Sequence, residues 1–206
     1  MSLKKMTGGE AVVESLLANE VEIVTGLIGS STLEILDGLY NNSDKIRYIG
    51  CIQESAGMHL SDGLARYTGK PSIFLSGQAG PGVTNTVTSM AQAKAAFSPV
   101  INLAGAISSE HKGLDAFQEV DQVRLMQPVS KKVFEVKDIE SIPLILNEGF
   151  KTAVEPRMGP VHIDLPRDVL GHSSEFEPPQ KYQIAKFPNA DEMSIQKSVK
   201  LLSESK

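Results

Sequence analysis

The sequence predicts an α/β protein, a three-layer α/β/α fold around a central, mostly parallel sheet. Short apolar runs alternate along the chain with stretches whose apolar residues recur at helical spacing, a pattern that calls for a sheet covered by helices on both faces. With 206 residues, of which 41% are hydrophobic and 22% charged, the chain can bury one substantial core and has an ordinary globular composition.

The elements follow in order. Thr7-Gly8-Gly9-Glu10 is a capping box ahead of Val12, Val13, Leu16 and Leu17, which share one helical face. Residues 21–27 then read as a buried strand. Ser31-Thr32-Leu33-Glu34 is a second capping box, opening a helix with Leu33, Leu36 and Leu39 on one side. A strand at 46–52 leads into a helix over 54–67, and a strand at 72–76 into a helix over 82–97. A strand at 100–104, an irregular stretch over 105–127, a short strand at 132–136, a helix over 139–154 and a strand at 161–165 complete the alternation. Residues 1–170 form one domain on this reading. The Pro- and Ser-containing stretch 171–188 has the composition of a linker, and residues 189–206 begin a further, truncated domain whose helix at 193–202 has nothing of its own to pack on.

The net charge of −5 comes without any basic block, which argues against nucleic acid and anionic membrane and favours a small-molecule substrate. No apolar segment approaches the roughly 20 residues that span a bilayer, and no signal-peptide pattern opens the chain. The single cysteine, Cys51, cannot form an internal disulfide and reads as a buried structural thiol, so a cytoplasmic location is expected.

Four places could carry chemistry. Glu54 ends a strand and begins a helix, a junction that lines the ligand crevice of parallel sheets. Its carboxylate either complements the helix dipole, worth about 0.3–1 kcal/mol, or serves a ligand from a buried crevice. The glycine-rich segment Gly77-Gln78-Ala79-Gly80-Pro81-Gly82-Val83-Thr84-Asn85 reads as a turn between strand and helix; it is neither a Walker A loop nor a dinucleotide fingerprint. Gly113-Leu114-Asp115-Ala116-Phe117-Gln118-Glu119 reads by itself as a surface loop with one anchoring Phe, and Gly26-Leu27-Ile28-Gly29-Ser30-Ser31 as a turn and N-cap. His59, His111 and His162 have no spacing that suggests a metal site.

From about Met6 to Val169 these motifs, in this order, resemble the pyrimidine-binding domain of thiamine-diphosphate enzymes, above all the acetolactate synthase group. Gln53-Glu54 through Arg66 is similar to the glutamate-bearing motif, Gly80-Pro81-Gly82-Val83-Thr84-Asn85 to Gly-Pro-Gly-x-Thr-Asn, and Leu114 to Glu119 to Thr-Asp-Ala-Phe-Gln-Glu. Gly159-Pro160-Val161-His162-Ile163-Asp164-Leu165-Pro166-Arg167-Asp168-Val169 is similar to the last strand of that domain, with an architectural role and no assigned chemistry. The resemblance implies that Glu54 hydrogen-bonds the pyrimidine ring and promotes the tautomer that deprotonates the thiazolium. It likewise implies that Gly29, Ser30, Gly80, Pro81, Gly82 and Asn85 lie at the cofactor, and that Gln78, Phe117 and Gln118 face the substrate.

The family's diphosphate motif, Gly-Asp-Gly followed by Asn, is absent from the chain, so Mg2+ is expected on a different domain, with no metal ligands here; FAD is left open. The resemblance also implies a homodimer or homotetramer, a central domain following residue 188, and a fragment that does not turn over alone. Gln53 stands where many relatives have His. Gln78-Ala79 in place of Thr-Ser, and Ile28-Gly29-Ser30 in place of Pro-Gly-Gly, resemble the sulfoacetaldehyde acetyltransferases instead. Two enzyme readings therefore stand, C–C bond cleavage or formation on 2-oxo acids and acetyl transfer to phosphate. A noncatalytic α/β subunit or binding domain is the alternative from another class.

Overall fold

The computed structural model describes residues 3–183 and 189–205. After β1 (Lys4–Thr7), the strands β2 (Ile23–Gly26), β3 (Arg47–Gly50), β4 (Ser72–Gln78), β5 (Val100–Ala106), β6 (Lys132–Glu135) and β7 (Val161–Pro166) build one six-stranded sheet in the order β3-β2-β4-β5-β7-β6. Every pairing within it is parallel. The expected three-layer architecture is present, because successive strand residues feed two separate cores. Ile73, Leu75, Ile101 and Leu103 pack under α1 (Gly8–Ala18) and α2 (Leu33–Asn41). Phe74, Val100 and Ala104 meet Met58 of α3 (Glu54–Thr68) on the other face. A helix layer on each side is the only way to bury both residue sets of a period-two strand.

The connection after β2 leads to β3 on one side, and the connection after β3 returns to β4 on the other. Between β2 and β4 the direction of winding reverses, and their carboxyl ends open a crevice at that point. The chain segments 27–32, 51–54 and 78–85 all emerge there.

Local signals explain some boundaries and mislead at others. Thr7 accepts from Glu10 N at 3.1 Å while Glu10 Oε2 accepts from Thr7 N at 2.7 Å, so the first capping box forms as expected. The second does not. Residues Ser30–Thr32 make a 3₁₀ turn in which Thr32 Oγ1 donates back to Gly29 O at 3.1 Å, and Ser31 Oγ and Glu34 Oε2 are buried without partners among the described residues. The expected helix over 82–97 begins three residues earlier, as α4 (Ala79–Thr84), breaks, and resumes as α5 (Val87–Ala95). The glycine-rich stretch is therefore the first turn of a helix rather than a turn before one. Pro81 fits because the N–H groups of a first helical turn have no intrahelical acceptor in any case.

The irregular stretch ends in a short helix, α6 (Gln122–Met126), and α7 (Ile142–Val154) and α8 (Arg167–Gly171) flank β7 in sequence. Within the stretch read as linker, β8 (Ser173–Phe176) pairs antiparallel with β1 from Lys4↔Phe176 to Thr7↔Ser173. Tyr182 stacks on Phe150 of α7, ring centroids 5.6 Å apart. Beyond it, α9 (Glu192–Glu204) has no buried residue. Because β3 is an edge strand with no buried residue, Cys51 is half-buried instead of the fully buried thiol expected, and Ile52 is fully exposed.

Candidate functional site

Glu54 owes its position to an uncommon cap. Gln53 takes an extended backbone, φ −152° and ψ 130°, and its Oε1 accepts from Ala56 N at 2.8 Å and from Ser55 Oγ at 2.6 Å. Gln53 thus does the work of an Asn or Ser N-cap with a longer side chain, and α3 starts with Glu54 as its first residue. Ser89 Oγ of α5 donates to Ser55 O at 2.9 Å, and Gly57 lets Phe74 and Cys51 approach the helix backbone. So anchored, Glu54 is 8% exposed, and its Oε2 accepts from Asn85 Nδ2 at 3.0 Å. Asn85 is the residue that terminates α4.

The glycines around this carboxylate make room for the chain's own backbone. A Cβ on Gly29 would stand 2.4 Å from Gln78 N, one on Gly82 2.5 Å from Gly77 C, and one on Gly80 2.7 Å from Gln118 O. Three segments that leave β2, β4 and β5 are thereby drawn together at the carboxyl ends of the strands. Three hydrogen bonds tie them: Gly80 N donates to Gln118 O at 2.8 Å, and Gln78 Oε1 accepts from Ser30 N at 3.3 Å and from Ser30 Oγ. Ala79 at φ +31° and Gln118 at φ +64° hold left-handed backbone at this junction, a strained state for residues with a Cβ.

Of the residues singled out from sequence, Glu54 and Asn85 meet directly, as do Ser30 and Gln78, and Gly80 meets Gln118 through backbone atoms alone. Phe117 is 83% exposed, as is much of Ile28, Ile52 and Leu114, all of which follow carboxyl ends of strands. The cavity bounded by Asn19, Lys70, Phe150 and Tyr182 lies at the amino ends of β2 and β4, away from Glu54.

Sequence reasoning assigned no chemistry to the β7 motif, yet its polar pair is the most perturbed among the described residues. His162 and Asp164 sit two apart on a buried strand and so share a face. His162 is fully buried, and desolvation pushes its imidazole down to about 3; Nδ1 meets Asn102 Nδ2 at 3.2 Å, and Asn102 Oδ1 accepts from Ser76 Oγ at 2.6 Å. Asp164 Oδ1 lies 4.0 Å from His162 Nε2, and burial, opposed by Lys112, pushes the carboxyl up to about 7. Two ionisable residues at alternate positions of an otherwise apolar strand were the available signal.

Residues 6–125 match the family described as thiamine pyrophosphate enzyme, N-terminal TPP binding domain. The chain is 38% identical over 206 residues to a probable acetolactate synthase large subunit of Methanocaldococcus jannaschii, covering 97% of this chain and 34% of the relative. It is 35% identical over 204 residues to the acetolactate synthase isozyme 1 large subunit of Escherichia coli, covering 98% and 36%. With the mitochondrial acetolactate synthase catalytic subunit of Saccharomyces cerevisiae it shares 38% over 164 residues, 80% of this chain and 24% of that one. The chain thus spans about a third or less of the length of these curated relatives.

Proposed function

Since this chain belongs to the thiamine pyrophosphate enzymes, as their N-terminal TPP binding domain, we propose that it supplies the pyrimidine half of a thiamine diphosphate site in an acetolactate synthase-like enzyme. That enzyme would act on 2-oxo acids or related carbonyl substrates by C–C bond cleavage or formation. The reading rests on one observation above the rest, a carboxylate 8% exposed at a strand-to-helix junction, beside the point where the sheet reverses its winding.

The residues present fit the group. Asn85 occupies Oε2 of Glu54, while Oε1 faces Gly77, where a Cβ would stand 2.9 Å away, so no side chain at that position covers the oxygen. Glu54 would hold a proton against a ring nitrogen at Oε1, with Asn85 fixing the carboxylate's orientation. The cofactor, when bound, supplies the carbanion-stabilising chemistry that a protein side chain cannot. Gly29, Ser30, Gly80, Pro81 and Gly82 would form the wall beside it, and Gln78, Phe117 and Gln118 the substrate side. Mg2+ and the diphosphate would be held outside this chain. The exposed Ile28, Ile52, Leu114 and Phe117 would be covered by the rest of a homodimer or homotetramer. Residues 189–205, with no buried side chain in α9, would open the following domain.

In the full-length enzyme Glu54→Gln should reduce turnover about 10²–10⁴-fold with the fold retained, since it keeps the shape and removes the ionisable group. Near-normal turnover with saturating cofactor would refute the assignment.

One observation favours a second substrate. The Ser30–Gln78 hydrogen bonds join the two departures from the acetolactate synthase pattern that resemble the sulfoacetaldehyde acetyltransferases, so these two form a single unit. Acetyl transfer from sulfoacetaldehyde to phosphate is the corresponding reading. Product analysis with pyruvate, and with sulfoacetaldehyde plus phosphate, separates the two.

A further inference from the structure

A second pocket of about 240 Å³ lies at the carboxyl ends of β5, β6 and β7, roofed by the segment that runs from Ile107 to Gln122. Its wall has an unusual imbalance of hydrogen-bonding groups. Each side-chain donor group along it other than Lys137 already has an acceptor: Lys112 Nζ is paired with Glu135, Gln122 Nε2 donates to Gly105 O at 3.4 Å, and Ser109 Oγ donates to Asp168 Oδ1 at 3.3 Å. Lys137 is exposed at the rim. Two buried acceptors along it have no donor. Gln122 is 4% exposed and Asp164 5%, and Gln122 Oε1 and Asp164 Oδ1 have no partner among the described residues.

Unpaired buried acceptors are costly, and they are compensated by an occupant that donates hydrogen bonds. A cation is favoured over a neutral donor, because Glu119, Glu135 and Asp164 face the pocket against Lys112 and Lys137, a surplus of one carboxylate when Asp164 is ionised. Ile107, Val120, Val136 and Pro166 give the rest of the wall an apolar character, so the occupant carries a hydrocarbon body. We infer that this pocket is a binding site for a compact organic ammonium, whose N–H groups are received by Asp164 and Gln122. The pocket is not lined by Glu54 or Asn85, and the inference does not depend on the cofactor reading.

The test is a ¹⁵N NMR titration of the 206-residue chain at pH 8 with propylammonium, and with 1-propanol as the neutral molecule of like size. Saturable shifts confined to the Gln122 side-chain amide and the backbone amides of Ile107 and Val120 are expected, with at least tenfold weaker binding of the alcohol. Asp164→Asn and, independently, Gln122→Leu should each weaken propylammonium at least tenfold, in variants whose spectra keep the native dispersion. Having two variants keeps the test decisive if one fails to fold. No saturation at these signals would mean that water alone fills the pocket. That result, equal binding of the alcohol, or affinity unchanged in a folded variant would overturn the inference.

Discussion

Around Glu54 three backbone segments pack so closely that Gly29, Gly80 and Gly82 have no room for a Cβ, whereas the neighbouring segment 109–121 carries Phe117 at 83% exposure. The first region is fixed by contacts within this chain. The second meets the first through Gln118, holds much of the rest of its backbone by local bonds, such as Glu119 accepting from Ala116 N at 3.0 Å, and leaves its large side chains uncovered. On the proposed reading, the difference teaches that the domain completes the carboxylate side of the crevice and presents the other side unfinished. The exposed Phe117 would then be covered by another part of the proposed enzyme.

The contrast predicts a graded response to substitution. Gly82→Ala should cost the most stability. Alanine would gain about 1 kcal/mol in helix propensity, but its Cβ would stand 2.5 Å from the Gly77 carbonyl carbon, a backbone atom that cannot swing away. A net loss of about 1–3 kcal/mol in denaturant unfolding is expected. Unchanged stability would show that the Gly77–Gly82 approach is not tight.

Next in size is the pH response of the β7 pair. Asp164 is raised, so between its unfolded value near 4 and about 7 the folded state binds the extra proton and stability falls as pH rises. His162 is lowered, so between about 3 and 6.5 the unfolded state binds the extra proton and stability rises with pH. The two slopes oppose each other from pH 4 to 6.5 in the native chain. Asp164→Asn should uncover the rising slope and His162→Gln the falling one, each up to about 1.4 kcal/mol per pH unit. Urea midpoints at pH 4.5 and 6.5 measure this, and parallel profiles for the three proteins would contradict it.

Smallest is the effect on the exposed side. Phe117→Ala should change stability by no more than about 0.5 kcal/mol, while Phe117→Ala and Gln118→Ala in the full-length enzyme shift acceptor KM or product partition. Loss of stability alone would make Phe117 a loop anchor.

Much of this contrast was legible in the sequence, and the rest was not for identifiable reasons. Period-two apolar runs between helical stretches determine the layers, and the strand-to-helix junction at Glu54 marks the crevice. The β1–β8 pair escaped because Lys4–Thr7 and Ser173–Phe176 are short and mostly polar, with pairing partners about 170 residues apart. The second capping box failed because Ser31, its expected cap, lies inside a 3₁₀ turn, and Thr32, which caps α2 instead, gives its hydroxyl to Gly29 O. Gly80-Pro81-Gly82 resembled a turn by composition, although glycine here serves backbone approach inside a helix. The exposure of Phe117 is set by tertiary packing, which no local pattern encodes.

The unfinished crevice is tested most directly by calorimetry of the 206-residue chain with magnesium and thiamine diphosphate. Phosphate and metal contacts supply much of the binding energy of such a cofactor, and a pyrimidine half-site alone should give no measurable binding below the millimolar range. Micromolar or tighter binding would place the diphosphate site within this chain and contradict the division of the crevice between this domain and the rest of the enzyme.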